Sequence, residues 1–316
     1  MRRIGYAANK GDLKMAIEAD TEPTELEEGE IILRKKKQPE LKTGVTAQAV
    51  LKTAAAALET LREKKPLVAC MTNIVSANFQ ANALLALGAS PAMVEDIGEA
   101  SQITSVADAL LINVGTVTKP QTDAMRAAVS HANMNGRPWT LDPVGVGALP
   151  LRTFTAKELM RRFPAFIRGN ASEIDFLVSG TTYGRGMDAS VSSDQVAQSA
   201  LRLAGVTRAA VLVTGETDYV ALEGAPLVAI ANGSPLMTRV TGVGCVQGAI
   251  GSAFLGALGA QARWESALAS ALVVAIAGEI AVEKGKTLGA FPAAFIDALD
   301  SLKPSDITKR GKVKLM

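Results

Sequence analysis

The residues best placed to do chemistry are Thr241-Gly242-Val243-Gly244-Cys245, which open a long uncharged run. Glycines at the start of a helix let backbone approach a ligand closely. The free amide N–H groups and the helix dipole then favour an anion, typically phosphate. The same field favours a thiolate, so Cys245 is expected to have a lowered pKa. A thiolate there can accept a proton from a substrate hydroxyl or attack covalently; the plainer reading is a small cysteine packed in a core helix. Phosphoryl transfer also needs a cation and carboxylates to hold it. Asp142 and Glu173 stand at the ends of two predicted strands and suit that role, and Arg168 suits a phosphate. Each has a plainer reading as a surface charge or a helix cap, with Asn170 and Glu173 at capping-box spacing.

Scarce residues exclude other chemistries. The 316-residue chain has two cysteines, Cys70 and Cys245, and one histidine, His131. A structural zinc site needs four Cys or His ligands. A Ser-His-Asp or Cys-His mechanism would have to use His131, which lies off the apolar face (Met125, Val129, Ala132) of a predicted helix. There is no GxxxxGK[ST], and Gly145-Val146-Gly147 lacks the third glycine of a dinucleotide fingerprint. A net charge of +2 gives no reason to expect nucleic acid. Val240–Ala262 is long enough to span a membrane but is flanked by only single arginines and one aromatic, Trp264, so a buried core helix is expected. Few cysteines and the lack of a signal peptide point to the cytoplasm.

The elements that must position these residues follow from the apolar pattern. Predicted strands at 66–72, 91–94, 107–115, 138–143, 165–169 and 209–215 alternate with helical patterns near 76–88, 119–135, 151–163, 170–178 and 191–204. That alternation predicts an α/β fold, a mostly parallel sheet with helices on both faces. Two alternating runs, DYVALEG and PLVAIANG, predict an antiparallel edge hairpin. Helices follow at 242–259, 263–284 and 290–302, after a helix at 47–65. Ligands of open parallel sheets bind beyond the carboxyl ends of the strands. Here those ends read MTN (71–73), NVGT (113–116), LDPVGVG (141–147), RGNASE (168–173) and VTGETD (213–218), a polar, glycine-rich rim. Residues 1–45 hold 18 charged side chains, nine of each sign, and predict a flexible extension. Residues 304–316 read as a frayed basic tail.

Seven motifs in order, PLVACMTN, NFQANALLALGASPAMV, LLINVGT, WTLDPVGVGA, IRGNASEI, VTGETDYV and PLMTRVTGVGC, resemble the hydroxyethylthiazole kinase family of the ribokinase-like superfamily. The likeness covers about residues 47–300, with 46–303 as the kinase domain. It implies a three-layer ribokinase-like fold and ATP-dependent phosphorylation of 4-methyl-5-(2-hydroxyethyl)thiazole in thiamine salvage. It also implies magnesium and a homotrimer with active sites between subunits. By motif, Asn73, Val75 and Met93 resemble the thiazole pocket and Gly242 a further substrate contact. Arg168 and Thr214 resemble the ATP contacts, and Asp142 and Glu173 the acidic residues near magnesium. Cys245 falls at the position of the superfamily's base, with the amides of Gly242–Cys245, Gly244 among them, facing the phosphate. The chain departs from the family at Ala69, where a histidine is usual, at ANGSPL, which lacks two histidines, and at Leu288–Phe291, a reduced GPGSF. These departures bear on the pocket and the trimer interface rather than on the phosphate positions. A kinase of another small heterocyclic alcohol, or a catalytically weak thiazole- or nucleotide-binding protein, are the alternatives. The intact TGVGC and RGNASE favour a kinase.

Overall fold

A computed structural model describes residues 44–181 and 193–316. The expected flexible extension therefore lies, apart from its last two residues, outside the described residues. The chain opens with α1 (Ala47–Lys64), whose Thr46 cap accepts a hydrogen bond from the Ala49 amide at 3.1 Å. Alanine and leucine make it a strong helix, and its buried face runs Val50, Leu51, Ala54, Leu58 and Leu61. It ends on Lys65 in the left-handed region, ahead of Pro66.

Six parallel strands follow: β1 (Leu67–Met71), β2 (Ser90–Met93), β3 (Ala109–Asn113), β4 (Trp139–Asp142), β5 (Phe166–Asn170) and β6 (Ala210–Thr214). Their crossovers are α2 (Ala77–Leu87), α3 (Ile97–Val106), α4 (Lys119–Met134), α5 (Pro150–Met160), α6 (Ala171–Ser179) and α7 (Ser193–Thr207). The chain then turns back through antiparallel β7 (Asp218–Ala221) and β8 (Val228–Ile230). After a 3-10 turn at Pro235–Arg239 come α8 (Val243–Leu258), α9 (Arg263–Lys284), α10 (Phe291–Ser301), α11 (Pro304–Arg310) and β9 (Val313–Leu315). One nine-stranded sheet results, in the order β2-β1-β3-β4-β5-β6-β7-β8-β9.

Alternate side chains of each strand enter opposite cores. Val68, Cys70, Leu111, Phe166 and Leu212 pack with α1, α2 and α8–α10. Ala69, Met71, Leu110, Ile112, Trp139, Ile167 and Val211 pack with α4–α7. This is the expected three-layer α/β arrangement. His131 is half-buried and off the packed face of α4, as its spacing implies.

Three features differ from the expectation. Helix α3 was absent from the sequence reading; only Ala100 and Thr104 of it are buried, too few to print an apolar period. The β7–β8 hairpin is not the edge, because β9 pairs antiparallel with β8. The last residues are not frayed: Ile307 of α11 is fully buried in the core and β9 completes the sheet. The uncharged run at 240–262 forms the core helix α8 and its flanking turns. Among the described residues one helix, α9, is long and apolar enough to cross a membrane, and 83% of its apolar window is buried inside the protein.

Candidate active site

Helix α8 runs antiparallel to the parallel strands, so its first turn meets their carboxyl ends. Gly256 near its end lies against Pro66 and Asp108, before β1 and β3, while Gly248 and Gly244 near its start lie against Asp142 and Arg168. Gly242 caps the helix with φ 91°, a left-handed conformation that glycine adopts without strain. A Cβ there would also sit 3.0 Å from that of Ser76. The Val246 amide donates the first helical hydrogen bond to the Gly242 carbonyl at 2.9 Å. The amides of Val243, Gly244 and Cys245 are thus left without helical partners.

Cys245 is half-buried in that first turn. Its Sγ accepts a hydrogen bond from Asn73 Nδ2 at 3.3 Å. Asn73 stands just beyond β1, and the same Nδ2 donates to Asn113 Oδ1 at 2.9 Å. Asn113 ends β3 and donates from Nδ2 to Asp142 Oδ2 at 2.6 Å. Asp142 ends β4 and is fully buried.

Arg168 of β5 crosses beneath the α8 N-terminus. A Cβ on Gly244 would lie 2.7 Å from Nη2 of Arg168, so glycine is what lets helix and guanidinium approach. Arg168 Nη2 donates to Thr214 Oγ1 at 2.9 Å, and Nε to Gln247 Oε1 at 3.4 Å. Nη1 faces Asp142 Oδ1 at 3.6 Å, an ion pair beyond hydrogen-bond reach. Glu173 closes the far side. It forms a capping box with Asn170 and accepts the Gly145 amide at 2.8 Å.

The electrostatics follow from this crowding. Burial, then the charge of Glu173, pushes the Asp142 carboxyl up to about 7, although Arg168 and Asn113 pull it down. Burial pushes Asp218, which is hydrogen-bonded to Gln247, up to about 6. The Cys245 thiol is also raised, by burial first and then by the Asp142 charge. This corrects the expectation of a lowered thiol pKa: desolvation and a neighbouring carboxylate outweigh the opposing pull of Ser76, Arg168 and Asn113. Cys70, fully buried in β1, is pushed up to about 12.

The Asp142–Glu173 pair suits a divalent cation. Oδ1 of Asp142 is buried without a hydrogen-bond partner, with the Arg168 guanidinium as its counter-charge at 3.6 Å, and among the described residues the Glu173 carboxylate accepts only backbone amides, of Gly145 and Asn170. Among the described residues no group of three or more Asp, Glu, His or Cys is gathered. Such a cation would take its remaining ligands from phosphate oxygens and water, as magnesium commonly does.

Of the residues singled out from the sequence, Asn73, Asp142, Arg168, Glu173, Thr214, Gly242, Gly244 and Cys245 come together here. Val75 and Met93 lie at the same end of the sheet, exposed at 62% and 40%. Asn113, Ser76, Gln80 and Gln247 were not singled out. Asn113 had a signal, as the polar end of an apolar strand; Gln247 had none, being one polar residue in an apolar helix. Ala69 is buried in the α4–α7 core rather than in the site, and Ser234 caps the 3-10 turn.

Known proteins resemble this chain in sequence and fold. The chain matches the Hydroxyethylthiazole kinase family over residues 58–305. It is 48% identical over 246 residues to the hydroxyethylthiazole kinase of Cronobacter sakazakii, covering 78% of this chain and 92% of that one. The solved hydroxyethylthiazole kinase of Pyrococcus horikoshii superposes with a TM-score of 0.77 at 34% identity, covering 84% of this chain and 99% of that one. A ribokinase-like superfamily protein of Enterococcus faecalis superposes at 0.58 with 10% identity, over 81% of this chain and 93% of that one, a likeness of fold alone. By both the family match and the extent of these identities, the chain belongs to the hydroxyethylthiazole kinase family.

Proposed function

We propose that this protein transfers the γ-phosphoryl group of ATP to the hydroxyl of 4-methyl-5-(2-hydroxyethyl)thiazole, in thiamine salvage. The observation that carries the reading is the meeting of three groups at the α8 N-terminus. These are the Cys245 thiol, the Arg168 guanidinium and Oδ1 of Asp142, which accepts no hydrogen bond. Family membership supplies the substrate class.

The thiazole hydroxyl lies beside Cys245, whose sulfur Asn73 holds in place. Cys245 keeps its own proton and orients the hydroxyl through its sulfur, and the hydroxyl proton passes to an oxygen of the transferred phosphoryl group late, as the bond to phosphorus forms. A loose transition state needs little more from a base. Charge on the transferred oxygens is met by the free amides of Val243–Cys245 and by Arg168. One such preorganised donor is worth roughly 3 kcal/mol. Magnesium, held by Asp142 and Glu173 when bound, would neutralise phosphate charge.

Exposed Ile74, Val75, Met93 and Ile97 beside the site support a homotrimer with shared active sites. Two free thiols support a cytoplasmic, reducing setting. The test is ADP release with a panel of primary alcohols, with and without magnesium. Release stimulated by hydroxyethylthiazole alone is expected. Stimulation by a pyridine or pyrimidine alcohol instead, or binding without turnover, would overturn the reading.

A further inference from the structure

The amides between Cys245 and Asp142 form a chain whose donors all run one way. Gln80 of α2 is fully buried and donates from Nε2 to Ser76 Oγ at 2.6 Å and to Thr72 Oγ1 at 2.8 Å. Ser76 donates from Oγ to Asn73 Oδ1 at 2.9 Å, and its backbone amide donates to the same oxygen at 3.0 Å. A backbone N–H can only donate, so that oxygen is fixed and the Asn73 NH2 must face away, toward Cys245 and Asn113. Asn113 repeats the device. Its Oδ1 accepts the Gly115 amide at 2.9 Å as well as Asn73 Nδ2, so its own NH2 must face Asp142.

Among the described residues, Asn113 is therefore the one side chain hydrogen-bonded to both the thiol's partner and the buried carboxylate. It is itself buried, at 1% exposure, and too deep to meet a substrate directly. Its bond to Oδ2 of Asp142 occupies one carboxylate oxygen and leaves Oδ1, which has no hydrogen bond and only the Arg168 guanidinium at 3.6 Å, for a cation or its water. Its bond from Asn73 holds the amide that grips Cys245.

We propose that Asn113 is a positioning residue for phosphoryl transfer, which locks the acceptor-side pair Asn73–Cys245 to the phosphate-side carboxylate Asp142 in one register. The proposal rests on the kinase reading above for its effect on rate. The wiring itself does not depend on that reading.

Two variants and two readouts test it. Asn113→Ala removes both arms. It should lower kcat at least tenfold with KM for hydroxyethylthiazole within threefold, and change the rate of Cys245 alkylation by iodoacetamide at least threefold. Asn113→Asp keeps the acceptor for Asn73 and Gly115 but turns an oxygen toward Asp142. Its added carboxylate should slow Cys245 alkylation, as the Asp142 charge does, while kcat falls at least tenfold. In a double-mutant cycle with Asn73→Ala, the double variant should lose no more than twofold beyond the worse single, because both act through one chain. Multiplicative losses in the cycle, or Asn113→Ala with parental kcat and alkylation, would overturn the proposal. Alkylation needs neither substrate. If the parent fails to turn over hydroxyethylthiazole, the function reading falls while alkylation still decides the wiring.

Discussion

At the scale of single residues, the outcome turns on which electrostatic contribution dominates. Cys245 sits where a helix dipole should favour a thiolate, yet burial and the Asp142 charge raise its pKa above the usual 9.0. Iodoacetamide should therefore alkylate Cys245 with a rate that climbs with pH toward a midpoint above 9. Cys70, buried and pushed up to about 12, should stay unlabelled in the native protein. A midpoint near 7 would restore the thiolate base. Arg168 gives a second test. Replaced by alanine, it should raise KM for ATP at least tenfold, since a hydrogen bond to a charged group is worth about 1.5–3 kcal/mol. An unchanged KM would remove it from the phosphate site. Residue types at strand ends made Asp142 and Arg168 legible in sequence, the glycine-flanked helix start made Cys245 so, and the family resemblance singled out Asn73. The sign of the thiol shift was not, because it depends on how close Asp142 comes and how little water remains. Those are tertiary quantities. The amide direction at Asn113 was hidden for the same reason: it is set by backbone donors, Gly115 and Ser76, that spacing cannot reveal.

At the scale of elements, α8 explains why its sequence is so rich in glycine. Gly244, Gly248, Gly251 and Gly256 face the sheet, against Arg168, Asp142 with Leu111, Phe166, and Asp108 with Pro66. Without side chains there, the helix lies close enough for its first turn to reach the strand ends. The uncharged run and the phosphate motif are thus one device. A methyl at Gly251 would collide with the buried ring of Phe166. Gly251→Ala should destabilise by about 1–3 kcal/mol, the usual cost of overpacking, which exceeds the gain of roughly 0.5–1 kcal/mol from a better helix former. Gly205, in α7 with open space beside it, is the control. Gly205→Ala should raise the melting temperature where Gly251→Ala lowers it. If both variants shift the same way, packing of α8 on the sheet is not what those glycines serve. Buried strands such as Ala109–Asn113 were readable as short apolar runs. Helix α3 was not, since two buried positions give no period, although Asp96 accepting the Gly98 amide at 2.7 Å is a cap signal a closer reading could use.

At the scale of the described fold, the parallel sheet follows from alternating strands and helices, and the site from the common rule that ligands bind at strand carboxyl ends. The end of the chain was misread because its cues are short and charged. Val313, Lys314 and Leu315 alternate correctly for a strand, but three residues in a basic stretch cannot outweigh a prior for fraying. Tertiary partners decide it. Helix α11 packs on α1, Ile307 is fully buried, and Asn232 ties the segment down by donating to the Arg310 carbonyl at 2.9 Å and accepting the Lys312 amide. Strand β9 also covers the edge of β8, which would otherwise present unpaired backbone groups to other chains. Ile307→Ala should therefore cost about 2–5 kcal/mol, as for other buried isoleucines, and lower the melting temperature. Removing residues 304–316 should do more. It uncovers Leu51 of α1 and frees the β8 edge, so the protein should both melt lower and scatter more light on warming. A frayed tail would give the opposite result, a truncated protein with the parent's melting temperature and no aggregation. The active site lies at the carboxyl ends of the parallel strands. A truncated protein kept cold and soluble should therefore retain KM for ATP, separating loss of the edge from loss of the site.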